Sequence, residues 1–216
     1  QENTSNAQAV QILNLIDKRF KDLTPIQQVD MLTKQIIVLA QINLKEAVFE
    51  CVERLTRLMN TQTIVEQLST NQEVEAHRSI VRRNILLNKN IEVINDLSQL
   101  LDIDIPPLSR CKLLIDIGLA YKAIDNDTDA MTNLNKALTL STDHDFSKES
   151  LRIQLALTNT HINIDPTKAL AFLQKIPPKL RQSEHLTSKQ YCGVLETTGV
   201  VLWKTGQIDL AISTLV

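Results

Sequence analysis

Five consecutive oxygen-bearing side chains, Asp125-Asn126-Asp127-Thr128-Asp129, open like a calcium-binding loop. Such a loop sets oxygen ligands at alternate positions, then needs Gly at the sixth place for a sharp bend and Glu at the twelfth. Those places hold Ala130 and Lys136. The segment therefore reads as a polar turn whose Asp residues cap the following helix. Asp143-His144-Asp145 and Glu73-Val74-Glu75-Ala76-His77 also carry ligand types. Neither sets two His on one helical face, which a helical zinc site requires, so they read as a solvated loop and a solvated helix side. The chain has no nucleophile motif, no Gly-rich phosphate loop and no paired-carboxylate spacing. No metal, no cofactor and no catalytic residue is expected.

Other reactive types are isolated. Arg78, Arg82 and Arg83 share one helical side, with Arg54 and Arg57 on an earlier helix. They could meet an acidic partner or phosphate, but Glu50, Glu53, Glu73 and Glu75 stand at ion-pairing distance in sequence, so a solvated, paired face is expected. Cys51, Cys111 and Cys192 are odd in number and lack zinc spacing. They read as buried helical thiols, with one disulfide left open as an alternative. The net charge of −2 gives no basic footprint for nucleic acid. No apolar run approaches the ~18 residues of a membrane span.

These side chains must be positioned by helices. Gly and Pro number only 4 and 6 in 216 residues, too few turns for a β-sandwich or barrel. Residues 7–20 carry Val10, Leu13, Ile16 and Phe20 at helical spacing. Thr24-Pro25 starts a second helix, Thr as cap and Pro at the first helical position. Its stripe is Val29, Leu32, Ile36, Leu39 and Ala40, and residues 44–59 return. Residues 61–72 are polar and fit either a helix extension or a loop. Helices are then expected over 73–87 and 91–101, around a turn at Asn88-Lys89-Asn90. Asp102-Ile-Asp-Ile-Pro106-Pro107 breaks helical structure. The expected organisation is a helical region 1–101, a Pro-containing linker 102–108 and a second helical region 109–216.

The second region repeats itself. Leu113-Leu-Ile-Asp-Ile-Gly-Leu-Ala-Tyr121 precedes Ala130, Leu134 and Ala137; Leu195-Glu-Thr-Thr-Gly-Val-Val-Leu-Trp203 precedes Gly206, Ala211 and Leu215. Gly118 to Ala130 and Gly199 to Ala211 each span 12 residues, as do Leu157 to Ala169 and, more loosely, Gln35 to Ala47. Small residues at such a spacing let the two helices of a hairpin touch, so stacked antiparallel helix pairs are expected.

Gly118, Tyr121, Ala130, Leu134 and Ala137, with Gly199, Gly206 and Ala211, resemble the packing positions of tetratricopeptide repeats (TPR). The resemblance is clear over 109–216 and weaker over 25–101. It implies an all-α, TPR-like α-solenoid, a right-handed superhelix of five or six stacked antiparallel helix pairs. In that family the first helix of each pair lines a concave groove that holds a protein or peptide. Carried onto this chain, the groove shows Lys112, Ile115, Leu119, Lys122, Gln154, Thr158, His161, Glu196, Val200, Trp203 and Lys204. The Lys and Asn that clamp a C-terminal carboxylate in one TPR class are absent: Ile115, Leu119, Gln154, Thr158, Glu196 and Val200 stand there. As a lone His, His161 reads as packed rather than ligating. Trp203 suits either a ligand anchor or packing against a further helix pair.

The chain is also similar in texture to extracytoplasmic TPR-type sensor regions that precede diguanylate cyclase (GGDEF) domains in Vibrio-like bacteria. That likeness implies a non-catalytic sensory or regulatory region of a larger signalling protein, periplasmic rather than cytoplasmic. The alternative is a helical regulatory segment of a caspase-like protease, or a cytoplasmic peptide-responsive regulator. The polar start Gln1-Glu-Asn-Thr-Ser-Asn6 and the uncapped stop at Val216 point to a piece of a longer protein. The apolar face around Leu210, Leu215 and Val216 suggests a homodimer through the terminal helix pair. No nucleic-acid or membrane partner is expected.

Overall fold

A computed structural model describes residues 18, 20–176 and 188–215. The helix expected over 7–20 lies largely outside the described residues, and Pro177, Pro178 and Val216 lie outside them. Among the described residues every regular element is a helix. In chain order they are α1 (Pro25–Gln41), α2 (Lys45–Met59), the one-turn α3 (Gln62–Val65), α4 (Thr70–Leu86), α5 (Asn90–Gln99), α6 (Pro107–Ala123), α7 (Asp127–Asp143), α8 (Ser147–His161), α9 (Pro166–Gln174), α10 (Ser188–Lys204) and α11 (Ile208–Leu215). The chain divides into two compact units, Gln1–Ser109 and Arg110–Val216.

In the first unit α1 and α4 begin alike. Thr24 Oγ1 accepts from the Gln27 amide, and Gln27 Oε1 accepts from the Thr24 amide, with Pro25 at the first helical position. Ser69 and Gln72 form the same reciprocal box. Each box satisfies helix-end donors that would otherwise be orphaned. Gln72 Nε2 also donates to both oxygens of Asp30, at 3.1 and 3.2 Å, which ties the start of α4 to α1. The stretch 61–72 is thus neither extension nor plain loop: it holds α3 and the cap of α4, three residues ahead of the expected start. Val29, Leu32, Ile36 and Leu39 of α1 pack on Val48, Cys51, Val52 and Leu55 of α2, with Ala76 of α4 at their edge. Each such large apolar side chain contributes roughly 1.5–3 kcal/mol when fully buried.

Five connections are built on one three-residue plan. Ile42-Asn43-Leu44, Leu87-Asn88-Lys89, Ile124-Asp125-Asn126, His144-Asp145-Phe146 and Thr205-Gly206-Gln207 each put the middle residue in the left-handed region, φ between 53° and 79°. In each, the amide of the third residue donates to the carbonyl five positions back at 2.8–3.0 Å. This is the Schellman closure, which reverses the chain while occupying helix-end carbonyls. Asn and Asp tolerate that conformation better than other side chains, and Gly206 adopts it without steric cost.

The shared turn explains the 12-residue spacing. A residue five before the end of the first helix faces one three after the start of the second: Gly118 with Ala130 and Gly199 with Ala211. The same geometry pairs Ile36 with Val48 and Val81 with Val93, all of them buried. The loose copy expected at Gln35–Ala47 is therefore displaced by one residue, and both of those are only half-buried. Between α8 and α9 the turn is one residue longer, with Asp165 accepting from the Lys168 amide. There Leu157 and Ala169, both fully buried, retain the spacing.

In the second unit, a Cβ built on Gly118 would stand 2.8 Å from Leu134 Cγ. α6 and α7 therefore touch where only hydrogen fits. Leu134 and Ala137 are fully buried, and Cys111 Sγ donates to the Ala137 carbonyl at 3.5 Å. α8 packs on α7 and α9, while α10 packs on α9, α8 and α11.

Candidate partner-binding cleft

The second unit opens between its first-position helices. A cleft of about 410 Å³ lies between α8 and α10, lined by Leu155, Asn159 and Ile162 on one side and Gly193, Glu196, Thr197 and Val200 on the other. Thr197 Oγ1 donates to Asn159 Oδ1 across it at 3.4 Å. A second recess of about 280 Å³ lies between α10 and α11, lined by Gly199, Val200, Trp203, Ile208, Ala211 and Ile212. Val200 lines both, so the two openings adjoin along one stripe of α10. Glu196, Val200, Trp203 and Lys204 occupy i, i+4, i+7 and i+8, which share a helix face.

Four of the expected groove residues meet here. Glu196 is exposed, Val200 half-buried and Trp203 59% exposed, while Lys204 Nζ stands 5.3 Å from the Trp203 ring centroid. Gln154, Thr158 and His161 do not join them. They are buried, at 9%, 0% and 4% exposure. The cleft-lining residues of α8 are instead those one position later, and a one-residue step turns a helix by about 100°. Lys122 is engaged with Asp127 at 2.8 Å. Leu119 is 38% exposed and Lys112 half-buried, while Ile115, expected in the groove, is fully buried. The packing positions Ala130, Leu134, Ala137, Gly118, Gly199 and Ala211 are buried and Tyr121 is half-buried, whereas Gly206 serves the turn.

The inward trio on α8 is a polar strip inside the unit. Thr158 Oγ1 returns its proton to the Gln154 carbonyl at 2.7 Å. Gln154 Oε1 and His161 Nδ1 have no hydrogen-bond partner among the described residues. His161 stacks on Phe172, with centroids 5.3 Å apart. Burial holds the His161 imidazole below its ordinary pKa, Lys168 adds to this, and Asp165 and Asp127 oppose it.

The other chemistry-bearing segments are occupied structurally. Asp125 takes the left-handed turn position, Asn126 accepts from the Asp129 amide, and Asp127 pairs with Lys122. The helix cap is thus Asn126 rather than an Asp. Among the described residues no three His, Cys, Asp or Glu side chains are placed to hold a metal ion. Arg54 pairs with Glu50 and Arg57 with Glu53, as expected of a solvated face. Arg78 departs from it: it is 8% exposed and pairs with Glu75 at 2.7 Å. Arg83 lies over the Phe49 ring. Cys51 and Cys111 are buried, and burial pushes the Cys111 thiol up to about 11. Cys192 is exposed, contrary to the expectation of three buried thiols, and none of the three is in a disulfide among the described residues.

The sequence reading missed Leu155, Asn159, Ile162, Gly193, Thr197, Ile208 and Ile212. The available signal was the run Leu155, Asn159, Ile162, a half-apolar i, i+4, i+7 stripe beside a fully apolar one.

Among solved structures, the nearly identical TPR-like repeats of a kinesin light chain from Podosopora anserina superpose with a TM-score of 0.64. The match covers 89% of this chain and 93% of that one, at 17% identity. The fold is TPR-like. No protein-family model matches the sequence, and a comparison with curated proteins returns no match. No helix among the described residues is long and apolar enough to cross a membrane.

Proposed function

We propose that this chain is a non-catalytic interaction module that takes a segment of a partner protein along α10. The observation that carries this is the pair of adjoining openings that share Val200. Their lining is aliphatic and aromatic, with one amide, one hydroxyl and one carboxylate, which suits recognition of a few side chains. The test is selection from a phage-displayed library of random nine-residue peptides, on the chain and on Val200→Arg. Peptides enriched on the first and lost on the second are expected. A library that yields no Val200-dependent binder overturns the reading.

Within this reading the module is the sensory or regulatory part of a larger bacterial signalling protein of the diguanylate cyclase type, on the extracytoplasmic side. Its support is the likeness in texture to such sensor regions. Sequencing the gene beyond Val216 tests it: a membrane span followed by a cyclase domain agrees, and a protease or helix-turn-helix domain overturns it. A second use of the terminal pair is favoured by Leu210 and Ile212, 52% and 57% exposed on α11. Exposed apolar residues grouped on one helix suit a homodimer. Sedimentation equilibrium is expected to show a concentration-dependent dimer that Leu210→Lys dissociates; a monomer at all concentrations removes this use.

A further inference from the structure

The α10 stripe carries an order of charges as well as an apolar face. Glu196 lies at the cleft end, Lys204 at the recess end, with Val200 and Trp203 between. Neither charge has an ion-pair partner among the described residues, and both are exposed. The recess itself is lined by Gly199, Val200, Trp203, Ile208, Ala211 and Ile212, with no charged side chain among them. Lys204 Nζ lies over the ring of Trp203, which itself lines that recess. An anionic group arriving there would meet an ammonium already positioned by a cation–π contact.

Resting on the proposed binding reading, we infer that the partner segment is an extended stretch with a fixed polarity. It places an apolar side chain in the Trp203–Ile208 recess, an acidic group at Lys204 and a basic group at Glu196. The spacing follows from helix geometry. Glu196 and Lys204 are eight residues apart on α10, which is roughly 12 Å at a helical rise of ~1.5 Å per residue. An extended chain covers that distance in about four residues at ~3.3 Å each. The acidic and basic groups of the partner therefore stand about four residues apart, with the apolar anchor near the acidic one. A segment with the charges reversed meets like charge at both ends, and repulsion of this kind works against wrong partners.

The experiment uses the nine-residue library selected on the full chain, on Lys204→Glu and on Glu196→Lys. Both positions are exposed on a helix surface, and circular dichroism is the check that each variant retains its helices. The expected enriched sequences carry an apolar residue next to an acidic one and a basic residue about four positions away. On Lys204→Glu the acidic preference inverts to basic at that place alone, and on Glu196→Lys the basic preference inverts at the other end. For a single synthetic peptide of the selected class, Trp203→Ala lowers affinity by about 30-fold, as for an aromatic anchor. Lys204→Glu lowers it by about two- to fivefold, more at low salt. Enriched peptides that depend on Val200 but show no charge order, or whose charge preference ignores both reversals, overturn the polarity while leaving the binding reading standing. Peptides that ignore Val200 overturn both.

Discussion

The first and last helix pairs of the second unit share a backbone plan and differ in what closes its mouth. In α6/α7, Lys122 stands four residues after Gly118 and Asp127 three before Ala130, and the two pair at 2.8 Å. In α10/α11 the same two places hold Trp203 and Ile208, which border an open apolar recess. The turns between them are equivalent, with Asp125 and Gly206 both left-handed. One copy thus seals the gap between its helices with charge, while the other leaves an apolar notch. Backbone repetition thus sets where an opening can form, and two side chains decide whether it stays open.

The contrast can be broken most strongly at its shared contact. Gly118→Val drives a branched side chain into Leu134, already 2.8 Å from an added Cβ, so a loss of about 3 kcal/mol is expected in urea unfolding. Gly193→Ala is the control: nothing lies within 4 Å of its added Cβ, and replacing a helical glycine there stabilises by roughly 0.5–1 kcal/mol. At the turns, Gly206→Ala forces a side chain to φ +79° and costs about 1–2 kcal/mol. Asp125→Gly, at φ 58°, runs the other way and gains a few tenths up to about 1 kcal/mol. Thermal melts of the two variants should move in opposite directions.

A pH titration sharpens the difference between exterior and interior polar groups. The His161 pKa is lowered on folding, so the unfolded chain binds more protons below about 6.5. Stability contributed by the neutral imidazole is present above that pH and is lost as the pH falls through it. His161→Phe should flatten this part of the stability profile, measured by urea midpoints between pH 5 and 8. The smallest effect on stability is expected from Trp203→Lys combined with Ile208→Asp, which copies the ion pair of the first hairpin into the last. Both residues are more than half exposed. The melting temperature should hardly move, while binding of apolar-anchored peptides should vanish.

Much of the fold was legible because periodicity and caps act locally. Thr24-Pro25 announced α1, and Gly118–Ala130 announced the hairpin contact. The hairpins in the first unit were harder to register because their close contact uses Ile36–Val48 and Val81–Val93, without the small residues that mark the pattern. The repeated turn carried a better signal in Asn43, Asn88, Asp125, Asp145 and Gly206, since few residue types accept a positive φ. The cleft was half legible. Glu196, Val200 and Trp203 follow from the α10 stripe, but which side of α8 faces α10 depends on packing at a distance. Sequence spacing alone then points Gln154, Thr158 and His161 outward, while the fold turns them in.

Cys192 offers a practical handle. It is exposed and immediately precedes the cleft-lining Gly193, while Cys51 and Cys111 are buried and burial pushes the Cys111 thiol up to about 11. Thiolate fraction and access together govern alkylation. A maleimide dye should therefore attach at one position in the native chain, beside the cleft, without any cysteine having to be removed. Its emission would then report occupancy of the neighbouring opening in real time.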